Sequence, residues 1–198
     1  MMKIIPGFKR NISYLDLASL ERSGDVIYIV DPKLHLVAYN DMWETFALSN
    51  DGEEIIKRYP LGADIRDAFQ GPIRNYFFQA YTKALKENTP FEQTYECSSP
   101  QEYRLYHQTA YPLVAGHGLV ISNHLVKKLQ HDQEAVVFNK QFVDVRGLIT
   151  QCQNCRKVRD PQHPDRWYWV PSLVKDCLDN VSHGICPRCM DHYFPDLD

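Results

Sequence analysis

Four cysteines near the C-terminal end of the sequence carry its clearest chemical signal. They form two C-x-x-C pairs, Cys152 with Cys155 and Cys186 with Cys189, separated by 30 residues. Each pair can direct two thiolates towards one ion, and four thiolates complete the tetrahedral site that zinc prefers. Because four protein ligands leave no open coordination position, the pattern predicts one structural zinc ion and not a catalytic one.

The same spacing permits a second interpretation, a thiol redox switch. In that hypothesis oxidation pairs Cys152 with Cys155 and Cys186 with Cys189, releases the zinc and unfolds the tail. His183 lies close to the second pair in sequence and could ligate the metal or hydrogen-bond a thiolate. With four cysteines available, His183 is not expected to be a ligand.

Two further cysteines, Cys97 and Cys177, stand alone in the sequence. We interpret both as inert buried thiols. No apolar run approaches the roughly 20 residues of a membrane helix, and the first residues are too short and too broken by Pro6 for a signal peptide. We therefore expect a cytoplasmic protein without a membrane partner, in which paired cysteines favour metal or redox chemistry over disulfides.

Charge and motifs exclude two broad classes of function. The chain of 198 residues has a net charge of −3, and residues 148–198 carry six Lys or Arg against seven Asp or Glu. Such a balance does not predict a nucleic-acid partner. The sequence contains no G-x-S-x-G, Walker A or H-E-x-x-H motif, so we expect a protein that is not an enzyme.

The elements that must position these residues follow from hydrophobic periodicity and turn residues. Ser13 is expected to cap a short helix, and Asn40 a helix that carries Trp43 and Phe46. Strands and helices in this order predict an α+β fold, a five-stranded antiparallel sheet with helices on one face. The predicted ranges are helix 13–22, strands 26–30 and 34–39, a long helix over 72–87, and strands 91–97, 103–114 and 119–126.

Residues 23–126 resemble the PAS sensor family. The resemblance is carried by the order of the elements and by Asp25-Val-Ile-Tyr-Ile-Val-Asp31, Leu36-Val-Ala-Tyr-Asn40, Trp43, Phe46 and Ala84-Leu-Lys-Glu-Asn88 before Pro90-Phe91. In this family an Asn commonly opens the helix after the second strand, and Asn40 fits that place. The resemblance implies a sensor domain whose interior holds haem, flavin, a small metabolite or nothing.

The sequence argues against two of these cofactors. The long helix has no His or Cys to ligate haem, and Arg156 and Met190 follow the cysteine pairs where C-x-x-C-H would need His. Asn154-Cys155-Arg156 matches only the start of the photoreactive flavin motif, so haem and flavin are not expected. A small-molecule PAS ligand remains compatible with an aromatic interior. The candidates for its pocket are Tyr28, Tyr39, Trp43, Phe77, Tyr81, Tyr95, Tyr103 and Tyr111.

Residues 127–147 are predicted to form a linker helix. Leu129, Val136 and Val143 recur every seven residues, as one line of a coiled-coil seam would. Gln133 and Lys140 occupy the places where the other apolar line is required. A homodimer seam and a helix that packs on its own sheet therefore both remain open.

The tail resembles a short cysteine module at the ends of bacterial signalling proteins. The matching residues are Gly147-Leu-Ile-Thr-Gln-Cys152-Gln-Asn-Cys155-Arg-Lys-Val-Arg-Asp160, Trp167-Tyr-Trp-Val170 and Ser182-His-Gly-Ile-Cys186-Pro-Arg-Cys189. Residues 161–166 form a longer turn than is usual there. Trp167 and Trp169 are expected either to cover a small core beside the zinc or to form a patch for a partner.

These observations predict four parts: an N-terminal helical cap (1–22), a PAS-like domain (23–126), the linker (127–147) and a zinc module (148–198). The leading hypothesis is a non-catalytic bacterial signalling protein. In it the PAS-like domain senses a ligand or dimerises, and the structural zinc module contacts a protein partner. The alternative is the thiol redox switch.

Overall fold

A computed structural model describes residues 1–69, 71–175 and 178–196. Their contacts divide into two compact units, and the division does not follow chain order. Unit 1 comprises Met1–Phe69, Phe77–Thr94 and Tyr106–Leu125. Unit 2 comprises residues 70–76, Tyr95–Leu105 and residues 126–198. Both units are of mixed α and β structure.

The principal sheet contains six strands in the order β1-β3-β2-β6-β5-β4. Its β1–β3, β3–β2 and β2–β6 pairs are antiparallel. The mixed α and β class and the large antiparallel sheet that the sequence predicts are therefore present. The strands are β1 (Lys3–Ile4), β2 (Val26–Val30), β3 (Leu36–Tyr39), β4 (Phe91–Glu96), β5 (Glu102–Pro112) and β6 (Leu119–Gln130).

Four helices accompany this sheet along the chain. The longest, α4, begins at Gly71 and ends at Glu87. Its inward-facing side chains recur at helical spacing and are nearly fully buried, as for Phe77, Tyr81 and Ala84. The helices are α1 (Leu17–Arg22), α2 (Asp41–Leu48), α3 (Glu53–Arg58) and α4 (Gly71–Glu87).

The sheet of unit 1 is covered on both faces, whereas the sequence predicted helices on one face only. Successive residues of a strand point to opposite faces, so Tyr28 and Ile29 of β2 face different layers. Tyr28 contacts Trp43 of α2 with ring centroids 5.1 Å apart. Ile29 packs instead with Ile12 and Leu17 from the N-terminal segment. That segment supplies the second layer because its apolar residues need a surface to bury against.

The N-terminal segment also differs from its predicted form. Residues Lys3–Ile4 add a sixth strand beside β3, and a 3-10 helix follows over Pro6–Ile12. Asp16, and not Ser13, caps α1: its carboxylate accepts a hydrogen bond from the Ser19 amide at 3.0 Å. Asp16 is a better cap here because its side chain reaches the free amide of the first turn.

Asn40 is fully buried between β3 and α2. It occupies the N-cap position of α2, but its side chain makes no hydrogen bond to that helix. Its Oδ1 accepts from the Ile27 amide at 3.0 Å, and its Nδ2 donates to the carbonyls of Leu20 and Asp25 at 3.2 and 2.9 Å. Asn40 therefore holds the predicted N-cap position without a side-chain cap, and its side chain instead joins α1 to the start of β2 through their backbones.

An Asn40→Ala variant is expected to lose about 3 kcal/mol of unfolding free energy, since three buried hydrogen bonds each contribute about 1 kcal/mol. Urea unfolding, followed by hydrogen exchange of β2 and β3 with mass spectrometry, measures this loss. Asn11→Ala is the matched control, because the Asn11 side chain makes no hydrogen bond to the described residues. Equal unfolding midpoints for the two variants would refute the role of Asn40.

The predicted linker helix over 127–147 is wrong. Strand β6 continues to Gln130, and a 3-10 turn, Lys140–Phe142, is the one helical element described in the rest of the segment. Lys128 of the strand pairs with Glu102 at 2.9 Å. The Val136 amide donates to the Trp169 carbonyl at 2.8 Å. Val136 and Val143 pack against the core of unit 2, so their spacing reflects burial and not a coiled-coil seam.

Unit 2 contains a second, smaller sheet of four strands in the order β10-β7-β8-β9. Strands β7 and β10 are parallel, and the β7–β8 and β8–β9 pairs are antiparallel. Its core consists of Phe142, Ile149, Val158, Val170 and Leu173. The elements are β7 (Ile149–Cys152), β8 (Val158–Arg159), β9 (Trp167–Tyr168), α5 (Ser172–Lys175), β10 (Val181–Gly184) and α6 (Pro187–Tyr193).

Every helix in the described part of the chain is too short or too polar to span a lipid bilayer.

Candidate metal centre

The first cysteine pair lies in a tight turn between β7 and β8. The Cys152 amide donates to the Lys157 carbonyl at 2.8 Å, and the Arg156 amide donates to the Cys152 carbonyl at 3.0 Å. Arg156 adopts a left-handed conformation with φ of 62°, which closes the turn. This geometry brings the side chains of Cys152 and Cys155 to the same side of the turn.

The second pair lies at the start of α6. Cys186 is the N-cap residue, Pro187 occupies the first helical turn, and Cys189 lies within that turn. A proline is favoured there because its missing amide would have no partner in the helix. The helical turn places residues three apart on one face, so Cys186 and Cys189 point in a common direction.

The four cysteines form one buried cluster, and their sulfurs all lie within 4.8 Å of one another. The Sγ atoms of Cys155 and Cys186 are 3.6 Å apart. A tetrahedral site with zinc–sulfur bonds of about 2.3 Å requires sulfur separations of about 3.8 Å, so the donor set fits such an ion. These four residues are positioned to bind a metal ion.

Hydrogen bonds within the cluster favour thiolate at one position. The thiols of Cys155, Cys186 and Cys189, together with the Cys186 amide, stabilise the Cys152 thiolate and lower its pKa. The distance from the Cys186 amide nitrogen to the Cys152 Sγ is 3.4 Å. Metal ligation requires the thiolate form, and the Cys186 amide stabilises that form at Cys152.

Asn154 supports the cluster from within the first turn. Its Nδ2 donates to the Cys189 Sγ at 3.2 Å, which links the two cysteine pairs directly. Its Oδ1 accepts from the Tyr193 hydroxyl at 2.9 Å and from the Glu96 amide at 3.0 Å. These two bonds fix the amide orientation, so Asn154 holds a metal ligand in place from outside the ligand set.

An Asn154→Ala variant is expected to bind the metal about 10-fold more weakly, because loss of a partner that orients a ligand costs about 10–100-fold in affinity. Competition with a chromogenic chelator measures the change. Asn139→Ala, an exposed change in the same unit, should retain wild-type affinity. Affinities that agree within error for all three proteins would remove this role from Asn154.

His183 and the two tryptophans occupy separate positions around the cluster. His183 is not a member of the metal-binding group found among the described residues. Its imidazole has a lowered pKa because burial and the nearby Arg156 both disfavour the charged form. Trp167 packs against the cysteines, and Trp169 is buried with its ring centroid 4.2 Å from that of His131. Both tryptophans therefore contribute to the interior of unit 2.

Of the two cysteines that stand alone in the sequence, the structure describes one. Cys97 is partly buried, and burial raises the pKa of its thiol, as expected of an inert position. It does not belong to the metal-binding group among the described residues. Cys177 lies outside the described residues.

A pocket of about 330 Å³ adjoins the metal centre within unit 2. Three of the four cysteines line it, and Cys152 does not. Lys157 and Arg188 also line it, and their charges offset part of the negative charge of a metal–thiolate centre. Its remaining lining residues are Tyr95, Glu96, Tyr103, Leu105, Gln133, Asn154, Asp165, Trp167, Pro187 and His192.

The eight aromatic residues predicted to line a ligand pocket do not form one group. Tyr28, Tyr39, Trp43, Phe77 and Tyr81 are in unit 1, where Trp43 contacts both Tyr28 and Tyr39. Tyr95 and Tyr103 are in unit 2 and line the pocket beside the cysteines.

Tyr111 is not an interior residue, because its side chain is 48% exposed. The buried positions of β5 are Tyr106, Gln108 and Ala110, on the opposite face of the strand from Tyr111. The prediction that placed Tyr111 in the aromatic interior is wrong for this reason.

The tyrosine hydroxyls of unit 1 that were expected to contact a ligand have protein partners. The Tyr81 hydroxyl donates to Gln108 Oε1 at 2.5 Å, and Gln108 donates to Asn123 at 2.8 Å. Tyr28 bonds Tyr81, and burial raises the pKa of Tyr28 to about 12. A ligand in this interior would have to replace these bonds.

Asn154 and Glu96 are components of the site that the sequence analysis did not identify. Glu96 lines the pocket, and burial raises the pKa of its carboxyl group. Asn154 lies inside a C-x-x-C pair, so its position in the motif is the one signal that could have identified it. Glu96 lies 56 positions before Cys152 and carries no such signal.

No protein-family model matches the chain, and a search of the curated proteins finds no match.

Proposed function

We propose that this protein is a non-catalytic bacterial signalling adaptor. In this proposal a PAS-like domain over residues 23–126 senses a small molecule or dimerises. A structural zinc module over residues 148–198 contacts a protein partner. The observation that carries the proposal is the buried cluster of four cysteine sulfurs, all within 4.8 Å of one another.

A structural role for the metal follows from the composition of the cluster. Four thiolates saturate a tetrahedral zinc ion, so no position remains for water or substrate. The metal-binding group contains no His, Asp or Glu among the described residues. The small sheet of unit 2 and the helix α6 both begin or end at these cysteines, so one ion would tie these elements together.

A PAS-like assignment is supported by the order of elements in the chain. Two adjacent strands, β2 and β3, are followed by short helices, the long helix α4 and three consecutive strands. Asn40 directly follows β3, and its buried side chain makes three hydrogen bonds to backbone groups. An asparagine with a structural role at this place agrees with the resemblance on which the proposal draws.

We expect the chain to act by binding a protein partner, because the sequence contains none of the catalytic motifs named above. The pocket beside the metal centre combines aromatic walls with charged side chains of both signs. Pockets of this composition can receive one anchoring side chain of a partner protein. We place the proposed contact of the zinc module at this pocket.

Metal analysis of the purified full-length chain tests the proposal first. We expect about one zinc per chain and no visible absorbance band, which together exclude haem, flavin and iron–sulfur clusters. Cobalt substitution should give the thiolate charge-transfer and visible bands of a tetrahedral cobalt site. Absence of any bound metal, or an iron–sulfur spectrum, would overturn the structural zinc assignment.

Association is the second test. Size-exclusion chromatography with light scattering reports whether the chain dimerises, and cross-linking in the native host reports its partners. The matched control is an Arg188→Glu variant, which changes the charge of the pocket without removing a cysteine. The adaptor role would be refuted by two results together: a strictly monomeric chain, and no partner that binds the wild type differently from the Arg188→Glu variant.

A further inference from the structure

The four sulfurs of the metal centre differ in their access to small molecules. Cys155, Cys186 and Cys189 line the partly open pocket of unit 2, and their exposed fractions are 5%, 4% and 4%. Cys152 does not line the pocket and has an exposed fraction of 0%. A reagent that enters the pocket therefore meets three of the cysteines, and Cys152 is not among them.

The sulfurs also differ in the hydrogen bonds that they receive from N–H groups. Cys152 accepts from the Cys186 amide, and Cys189 accepts from Asn154. Cys155 and Cys186 accept no N–H bond from the described part of the chain. With the metal bound all four sulfurs are thiolates. A hydrogen bond then stabilises the negative charge on sulfur and lowers its nucleophilicity, so Cys155 and Cys186 are the more reactive ones.

Access and hydrogen bonding thus select the same two residues. Cys155 and Cys186 both line the pocket, both lack an N–H donor among the described residues, and their Sγ atoms lie 3.6 Å apart. We infer that this pair is a modification site for hydrogen peroxide, and that the first disulfide of the oxidised protein joins Cys155 to Cys186. This inference rests on the proposed metal centre.

The reaction consumes one peroxide for each disulfide. The thiolate of Cys155 or Cys186 attacks one peroxide oxygen, the O–O bond breaks, and hydroxide leaves as a sulfenic acid forms. The second thiolate then attacks the sulfenic sulfur and displaces another hydroxide. Two thiolates lose two electrons in total, peroxide gains them, and the metal loses two of its four ligands.

A link between the two cysteine pairs has a different consequence from links within each pair. The bond between Cys155 and Cys186 spans 31 positions and keeps the first turn attached to α6 after the metal has left. Within-pair disulfides, as the sequence suggested, would leave the two parts unconnected. The oxidised module therefore stays closed, and a reducing agent with zinc restores the original state.

Disulfide mapping of the metal-loaded full-length protein tests this inference. The protein receives one equivalent of hydrogen peroxide, free thiols are blocked with N-ethylmaleimide, and the chain is digested with trypsin without reduction. Trypsin leaves Cys152 and Cys155 on residues 147–156, Cys186 together with Cys177 on residues 176–188, and Cys189 on residues 189–198.

The expected product joins the first two peptides, with fragment ions placing the bond at Cys155 and Cys186. Blocked thiols should be found at Cys152, Cys177 and Cys189. A first disulfide that contains Cys152, or one between Cys186 and Cys189, would overturn the inference. Metal analysis of the same sample before oxidation reports separately on the metal centre, so the two claims can fail independently.

Two variants test the two selecting features without removing a cysteine. Leu105→Trp narrows the pocket and should slow disulfide formation at least about fivefold, because access limits thiol reactivity. Val145→Trp, at a fully exposed site of the same unit, should not. Asn154→Ala frees Cys189 of its donor, so disulfides that contain Cys189 should increase. Equal rates of disulfide formation in the two tryptophan variants would contradict the role of access. An unchanged yield of disulfides that contain Cys189 in Asn154→Ala would contradict the role of the hydrogen bond.

Discussion

A Cys186→Ser variant is expected to lose its metal and the ordered structure around the metal centre, while β2 and β3 of unit 1 stay folded. Cys186 contributes one of the four sulfurs, and its amide bonds the Cys152 Sγ at 3.4 Å. A hydroxyl is a poor zinc ligand, so metal affinity should fall by more than about 100-fold. Because metal binding and folding are coupled in such modules, the structure should be lost with the ion.

Hydrogen exchange with mass spectrometry measures this effect segment by segment. Protection should fall in peptides that cover β7, β10 and α6 and remain in those that cover β2 and β3. Cys97→Ser is the matched control, since Cys97 is in unit 2 but outside the metal-binding group. Retention of one metal per Cys186→Ser chain, with wild-type protection, would contradict the coupling of metal and fold.

The second large effect is expected for Gly118→Ala, at the turn before β6. Gly118 has a φ of +141°, and an added Cβ would lie 1.8 Å from the backbone carbonyl oxygen of Val30. That oxygen belongs to β2, where Val30 pairs with Leu119. An alanine must therefore displace two paired strands as well as adopt a strained backbone, at a cost of about 4 kcal/mol.

Urea unfolding, with hydrogen exchange across β2 and β6 as the readout, measures this loss. Gly7→Ala is the matched control, because no atom lies within 4 Å of a Cβ at that position and the residue is exposed. We expect a change of no more than about 0.5 kcal/mol for the control. If both alanine variants unfold at the same urea concentration, the close approach at Gly118 does not constrain the fold.

Elements whose identity depends on local sequence were predictable. Val26–Val30 is a run of β-branched and aromatic residues, and α4 carries apolar residues at helical spacing. Both were found close to their predicted ends. The segment 127–147 was not predictable in this way, because Val136 bonds Trp169, 33 positions away, and packs with Val143 against the core of unit 2. A regular spacing of apolar residues does not reveal which surface will bury them.

The metal centre was likewise predictable only in part. Two C-x-x-C pairs were enough to identify Cys152, Cys155, Cys186 and Cys189, because short turns place such residues side by side whatever the rest of the chain does. Neither Glu96 nor the sulfur-to-amide bond of Asn154 follows from that motif. The first depends on residues 95–105 lying beside the cysteines within unit 2, and the second on the two cysteine pairs coming together.

The sequence by itself thus determined the ligand types, their spacing and the α+β class, since each depends on neighbours along the chain. Only the tertiary structure decided which cysteines line a pocket, which sulfurs accept N–H bonds, and that Tyr111 points away from the interior. Access and hydrogen bonding are properties of residues brought together from distant positions. Their arrangement depends on how the two sheets bury their apolar side chains, and a local pattern does not record that outcome.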